Sequence, residues 1–293
     1  MRVFITGGTG LIGSAVVDEL LGNGHTVLGL ARSETSAAAL RDAGAEVLRG
    51  SLSDLATLRE GAAQSEGVVH LAFSNDFSSS SAVAAAVDEE STALAALGEE
   101  LVGSGRPLVT VSGTPAVPGR ASTEEDPLST EGLVGGRSRA VARALELADR
   151  GVRSAAVRMP RTVHNNGTGG FAGLLTDTAR RSGRSGYPGG GGQRWPAVHA
   201  LDAAVLFRLV LEKARAGTAW HAVRDEGDAV RDIAAVIGRR LGVPEEPVAE
   251  EAFGPLGAVF ATDQPASSAR TREELSWQPT RPHLLEDLEN IQP

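Results

Sequence analysis

The sequence predicts an α/β protein, a doubly wound parallel sheet with a smaller C-terminal domain. Three observations predict it. Strand-like apolar runs alternate with helical stretches six times up to residue 162, the order expected of a parallel sheet with helices on both faces. Gly7, Gly10 and Gly13 stand between the first strand and the first helix. After residue 163 the alternation gives way to glycine-rich loops and short elements, where a second, smaller unit begins.

Each element follows from its residues. Val3-Phe4-Ile5 is a short apolar run of strand type. Ala15, Val16, Leu20 and Leu21 then share one helical face, with Asp18 and Glu19 off it. Gly22-Asn23-Gly24 supplies residues that tolerate the left-handed turn ending a helix. A second strand at 25–31 ends at Arg32-Ser33, and an alanine-rich helix covers 35–43. A third strand at 46–50, a helix at 55–63 and a fourth strand at 67–73 follow. Residues 74–81 are serine-rich, hence a loop, before a long alanine-rich helix at 82–104. The fifth strand is 107–112, a loop spans 113–132 and a helix 137–150. The sixth strand, 152–157, runs into Arg158-Met159-Pro160-Arg161-Thr162. Beyond it, loops at 165–170 and 186–192 flank a helix near 171–182, and 195–200 is extended. Asp202 caps a helix through 214, Trp220 to Val223 is a further strand, and 230–241 and 282–290 are helical. The expected division is 1–160 with 196–224 as the sheet domain, and 161–195 with 225–293 as a smaller substrate-binding domain.

Composition narrows the function. Hydrophobic residues make up 41% of the 293, enough for a proper core. The net charge of −9, with no basic block and 4% aromatics, argues against nucleic acid as a partner. No apolar run nears the length of a membrane span, and no signal-peptide pattern opens the chain. The absence of cysteine removes disulfide and thiolate chemistry and fits a cytoplasmic protein. The six histidines show no paired ligand spacing, so no metal site is expected. A small-molecule substrate is the expected partner, and a homodimer is an open alternative for the assembly.

The glycines carry the strongest signal. They let the backbone turn tightly and approach a pyrophosphate, while the free N–H groups and positive dipole end of the helix face the anion. Ligands of such sheets sit beyond the carboxyl ends of the strands. An acid at the end of the second strand would favour NAD. Here Arg32 and Ser33 stand there instead, and an arginine with a neighbouring hydroxyl suits a 2′-phosphate. NADP(H) is therefore the expected cofactor.

Together these stations resemble the extended and atypical short-chain dehydrogenase/reductases, of the NAD-dependent epimerase/dehydratase type, over nearly the whole chain. Thr6 to Gly13 is similar to the family's TGxxGxxG turn, which implies cofactor contacts at Gly7, Gly10, Leu11, Ile12 and Gly13 of a Rossmann fold. Asp54-Leu55 resembles the pair that holds the adenine. Val69 to Ala72 resembles the HLA stretch after strand four, which implies roles for Leu71, Ala72 and Phe73. Arg158-Met159-Pro160 is similar to the Arg-Pro pair beside the nicotinamide, which brings Pro160, Thr162 and Val163 to the cofactor. Trp195 to Ala204 and Leu275 to Pro279 resemble the return to the main domain and the C-terminal LGWxP signature.

The resemblance also implies a YxxxK pair, which this sequence lacks. Its one tyrosine is Tyr187, followed four residues on by Gly191, and its one lysine is Lys213. If Arg139 stands for the lysine, Gly135 stands for the tyrosine; Gly135-Gly136 is then either loop before the helix or a vacancy that leaves room for a bulky substrate. Thr114 lies where the family's catalytic Ser/Thr falls, with Ser112 two residues earlier. Tyr187, His164 and His199 are the candidate proton donors, histidine having the right range for a general acid. Arg139 is a poor acid but a good electrostatic stabiliser. His25 and His70 are expected to be structural. Phe171, Trp195, Gly135 and His199 are expected on the substrate side, and the loops at 74–81 and 186–192 as lids. The expected function is an NADPH-dependent reductase transferring hydride to C=O or C=N in a bulky, largely apolar molecule. The alternative is a non-catalytic NADPH-binding redox sensor.

Overall fold

The computed structural model describes residues 1–74, 79–131 and 135–292. Its centre is an all-parallel sheet in the order β10-β6-β5-β4-β1-β2-β3. The strands are β1 (Arg2–Thr6), β2 (Thr26–Ala31), β3 (Glu46–Arg49), β4 (Gly67–His70), β5 (Pro107–Gly113), β6 (Arg153–Met159) and β10 (Thr218–His221). The strand order reverses between β1 and β4, and such a switch point opens a crevice for ligands.

Helices cover both faces because β-strand side chains alternate. Val3 and Ile5 of β1 point into one buried cluster, with Val16 and Leu20 of α1 (Leu11–Gly22) and Leu206 and Phe207 of α7 (Ala200–Lys213). Phe4 points the other way, among Leu58 of α3 (Leu55–Ala63) and Leu94 and Leu97 of α4 (Ser80–Leu101). Helix α2 (Glu34–Asp42) adds Ala37 and Leu40 to the first cluster, and α5 (Gly135–Glu146) adds Ala140 and Ala144 to the second. Each buried Leu, Val or Phe contributes roughly 1.5–3 kcal/mol.

The second unit packs around its own aromatic core. It comprises β7 (Thr162–His164), α6 (Gly170–Ser182), β8 (Ser185–Pro188), β9 (Arg194–His199), β11 (Asp225–Ala229), α8 (Val230–Leu241) and β12 (Glu245–Val248). Short helices α9 (Gly257–Phe260), α10 (Ala269–Leu275) and α11 (Leu284–Asp287) complete the described chain. Strands β11, β9 and β7 form one small sheet and β12 and β8 another. Phe171, Trp195 and Phe260 meet with ring centroids 5.2–5.7 Å apart.

Several elements differ from their sequence-based expectation. Strand β4 stops at His70 rather than Phe73, because the Thr6 hydroxyl pairs with His70 Nδ1 at 2.8 Å and accepts the Ala72 N–H at 3.3 Å. That bends the chain across Gly7. Residues 185–188 are a strand, not part of a loop, so Gly186 and Tyr187 are held against β12. Asp202 does not cap α7; His199 does, accepting the Leu201 N–H at 3.2 Å. Asp202 instead accepts the N–H groups of Thr280 and Arg281 at 3.0 and 2.9 Å. Of the expected loop at 74–81, residues 75–78 lie outside the described residues, while Ser80 and Ser81 already belong to α4. Among the described residues no helix is long and apolar enough to cross a membrane.

Candidate functional site

The site starts at the turn after β1. Gly7 has φ of 75°, a conformation side chains disfavour. A Cβ there would lie 2.7 Å from the Ala72 nitrogen, and one on Gly13 would fall on the Gly7 carbonyl oxygen. Helix α1 starts at Leu11 after Gly10, with no side-chain cap. By contrast α2, α3, α4 and α7 are each capped by a side chain. The first N–H groups of α1, at Leu11, Ile12 and Gly13, have no side-chain cap, and Gly7 and Gly10 carry no side chain to cover them. These residues fit a dinucleotide pyrophosphate.

The end of β2 is basic. Arg32 is exposed, with no hydrogen bond or ion pair among the described residues. The Ser33 hydroxyl caps α2 through Ser36. The nearest acid, Glu34, lies 2.8 Å from Arg41 and 3.6 Å from Arg49, so its charge is answered. Asp54 caps α3, accepting from the Thr57 nitrogen at 3.2 Å and hydroxyl at 2.6 Å. Those bonds hold its carboxyl below the usual range. Its expected adenine contact would therefore share a carboxylate already engaged. Leu55 is half-buried against the α3–α4 core.

At the far side of the switch point, Leu71, Ala72 and Phe73 lie half-buried past β4. Arg137 stacks over the Phe73 ring at 4.0 Å and forks onto Glu90 with two 2.6 Å bonds. The Ser112 hydroxyl, at the end of β5, is buried without a partner. Thr114 is buried too; its nitrogen donates to Met159 O at 2.9 Å, and its hydroxyl accepts from Gln264 Nε2 at 3.3 Å. Pro160, Thr162 and Val163 are buried where the chain leaves β6 for β7, and the Thr162 hydroxyl finds no partner. A Cβ on Gly169 would touch both Leu11 and Val163, so the start of α6 stands beside the start of α1.

Other expected site residues sit elsewhere. His164 is fully buried, with Nδ1 2.8 Å from Asp287 Oδ2 and its ring edge-on to His199 at 5.4 Å. That is a packed, paired imidazole rather than one open to a substrate. His199 is engaged as the α7 cap, and burial first, then His164, depresses its pKa. Tyr187 is half-buried in β8, its ring beside Gly191, so it is not carried on a free lid. Trp195 is fully buried in the aromatic core, with Phe171 half-buried on its edge. Arg139 is exposed and donates to Thr130 O at 2.5 Å. Gly135 opens α5, and the missing Cβ would strike the Thr130 carbonyl; the glycine accommodates a backbone approach and vacates no substrate space. His70 and His25 are paired with Thr6 and Glu212.

Two residues escaped the sequence reading. Gln264 and Asp287 reach Thr114 and His164 across 150 and 123 positions, a pairing no local pattern reveals. Arg161 did carry a signal: a cation directly after the Pro160 that ends β6. Among the described residues no group of three or more His, Cys, Asp or Glu could hold a metal ion.

The parallel sheet, its switch point and the uncapped glycine turn define a dinucleotide-binding Rossmann protein. Residues 3–223 match the NAD dependent epimerase/dehydratase family, and the chain belongs to it, as an NAD(P)-dependent oxidoreductase of that family. It is 43% identical over 297 residues to an uncharacterized protein of Saccharomyces cerevisiae, with 98% of each chain covered. It is 42% identical over 294 residues to one of Schizosaccharomyces pombe, again over 98% of both. Among solved structures, the UDP-glucose 4-epimerase of Thermotoga maritima with UDP-glucose matches with a TM-score of 0.81 at 20% identity, covering 99% of this chain and 97% of that one.

Proposed function

We propose that the protein is an NADPH-dependent reductase that transfers hydride to a C=O or C=N group of a bulky, largely apolar small molecule. The observation that carries the cofactor choice is the end of β2. Arg32 is exposed without a partner, Ser33 stands beside it, and Glu34 is already paired. A 2′-phosphate finds a cation there, and a 2′-hydroxyl finds no free carboxylate. Gly7, Gly10 and Gly13 with the start of α1 would hold the pyrophosphate. Ala72, Phe73, Pro160, Thr162 and Val163 would border the nicotinamide ribose. When bound, the cofactor supplies the hydride, and the protein's part is placement and exclusion of water.

In this reading the Ser112 and Thr114 hydroxyls would be at the reacting end, where they would orient a carbonyl or imine. Arg139 is bound to Thr130, and His164 and His199 are engaged, so none of the three is a ready acid. A C=N substrate that arrives protonated suits this set, since it brings its own proton; a ketone would draw one from ordered water or from Tyr187.

The test measures dissociation constants for NADPH and NADH before and after Arg32→Ala, then NADPH oxidation against ketones, cyclic imines and enones. NADPH should bind at least tenfold tighter than NADH, and Arg32→Ala should erase the difference. Equal affinities in the parent would overturn the cofactor choice. Tight NADPH binding with no turnover on any of the panel would replace the reductase by the redox sensor.

A further inference from the structure

Among the described residues, Arg161 is a cation whose side chain is largely buried yet has no hydrogen-bond or ion-pair partner. It follows Pro160 at the end of β6. Its Nε is sealed from solvent without a partner, and neither terminal nitrogen donates to any described residue. The terminal nitrogens, unlike Nε, are not sealed from solvent. Its one contact of note is the Phe171 ring, 5.2 Å from the guanidinium carbon. Burial lowers its pKa to about 10, and no neighbouring carboxylate pulls it back.

The charged groups around the end of β6 that the structure describes are engaged with one another. Arg158 donates to the carbonyls of Glu124 and Asp126 at 3.2 and 2.8 Å. The Glu124 carboxylate takes the Thr271 hydroxyl at 2.6 Å, and that of Asp126 takes Arg120. A buried guanidinium normally comes with a carboxylate, because the desolvated charge is otherwise costly. Stacking on one aromatic ring recovers only part of that cost.

We infer that Arg161 receives an anionic group, a carboxylate or phosphate, carried by the substrate. The inference rests on the reductase reading and narrows it: the substrate has an apolar body and one acidic head, and a cationic imine without such a head is disfavoured. The cofactor's own phosphates are the other source of the same chemistry. The chain past β6 returns to Leu11 of α1 at Gly169, so the NADPH readout below is what separates the two sources. The Phe171 contact holds Arg161 against the first turn of α6.

The experiment titrates NADPH-saturated protein with phenyl phosphate, benzoate and, as a neutral comparison, benzyl alcohol, by calorimetry. Both anions should bind at least tenfold tighter than the alcohol. Arg161→Met should weaken them at least tenfold, Arg161→Lys should recover part of the loss, and the NADPH dissociation constant should move less than twofold. The melting temperature of Arg161→Met should match or exceed the parent's, since an unpaired buried charge has been removed; Arg161→Gln replaces it if the methionine variant does not fold. Anions that bind no better than the alcohol, or that are indifferent to Arg161, overturn the inference. So does a tenfold loss of NADPH affinity with anion binding unchanged, which assigns Arg161 to the cofactor. A parent that binds no NADPH overturns the reductase reading alone, and the same titrations on the cofactor-free chain then decide the anion site.

Discussion

His164 Nδ1 and Asp287 Oδ2 meet at 2.8 Å, both buried, and tie β7 to the end of α11. The same carboxylate accepts the N–H groups of Asn166 and Gly167 at 3.1 and 3.0 Å. One side chain thus fixes the loop that leads into α6. Asp287→Ala strands the imidazole and two backbone donors, and should cost roughly 3–5 kcal/mol, read from the urea midpoint. Burial pushes the Asp287 pKa up, but the bonds from His164 and Gly167 outweigh it, leaving it below its ordinary 3.8. A carboxyl depressed on folding stabilises fully above its unfolded pKa and loses that as pH falls through the folded one. Asp287→Asn should therefore flatten stability loss below about pH 4. A variant within 1 kcal/mol of the parent, or an unchanged acid limb, would count against this role.

A second pH effect lies at His70. Complete burial, then the charge of Arg137, lowers its pKa to about 4 from an ordinary 6.5. Between those values the unfolded chain takes up a proton that the native chain refuses, so stability falls as pH drops from 6.5 toward 4. The limit is roughly 3 kcal/mol, from about 1.4 kcal/mol per pH unit. His221, also lowered to about 4 by burial, adds in the same direction. Urea midpoints of parent and His70→Gln between pH 4 and 7 give the check. The variant will start less stable, having lost the fit to Thr6, but its slope with pH should be shallower; parallel slopes would contradict the assignment.

Gln264 holds Thr114 through both its carbonyl and its hydroxyl, so it acts as a positioning residue for the end of β5. Once a substrate is in hand, Thr114→Val should lower kcat at least tenfold with a small change in KM. Gln264→Ala should fall between parent and Thr114→Val, and Gln264→Glu should recover little, because a carboxylate cannot donate to the Thr114 carbonyl. Thr114→Val with parental kcat/KM would remove the hydroxyl from the reaction.

Much of this was legible in the residues, for identifiable reasons. Strand-helix alternation depends on local apolar period, so β1 to β6 and their helices stand near where the sequence puts them. The glycines at 7 and 13 were legible because their constraint is local: a turn and a close backbone approach. The second unit was harder. Strand β8 reads as a glycine-rich loop, and only its pairing with β12, some sixty residues later, makes it a strand. His164 was a plausible acid until Asp287 came beside it, and Gly135 a plausible vacancy until Thr130 filled the direction of its Cβ. Local pattern identifies a residue's chemistry, whereas burial and a distant partner decide whether that chemistry is free to act.

Gly10 separates fold from binding more cleanly than its neighbours. Gly13→Ala drives a methyl into the Gly7 carbonyl, so lost binding there would be confounded by a broken turn. Gly10 has φ of −78° and ψ of 173°, open to any residue, and the nearest atom to a Cβ there is Gly7 O at 3.6 Å, an ordinary contact. Gly10→Ala should therefore melt within the range of a neutral substitution, about 0.5 kcal/mol. Its methyl nonetheless projects at the uncapped start of α1, where the pyrophosphate reading places an anion. NADPH affinity should fall tenfold or more, about 1.4 kcal/mol, measured by nicotinamide fluorescence beside a thermal melt. A stable Gly10→Ala variant that binds NADPH as the parent does would leave the turn a structural feature and move the dinucleotide elsewhere.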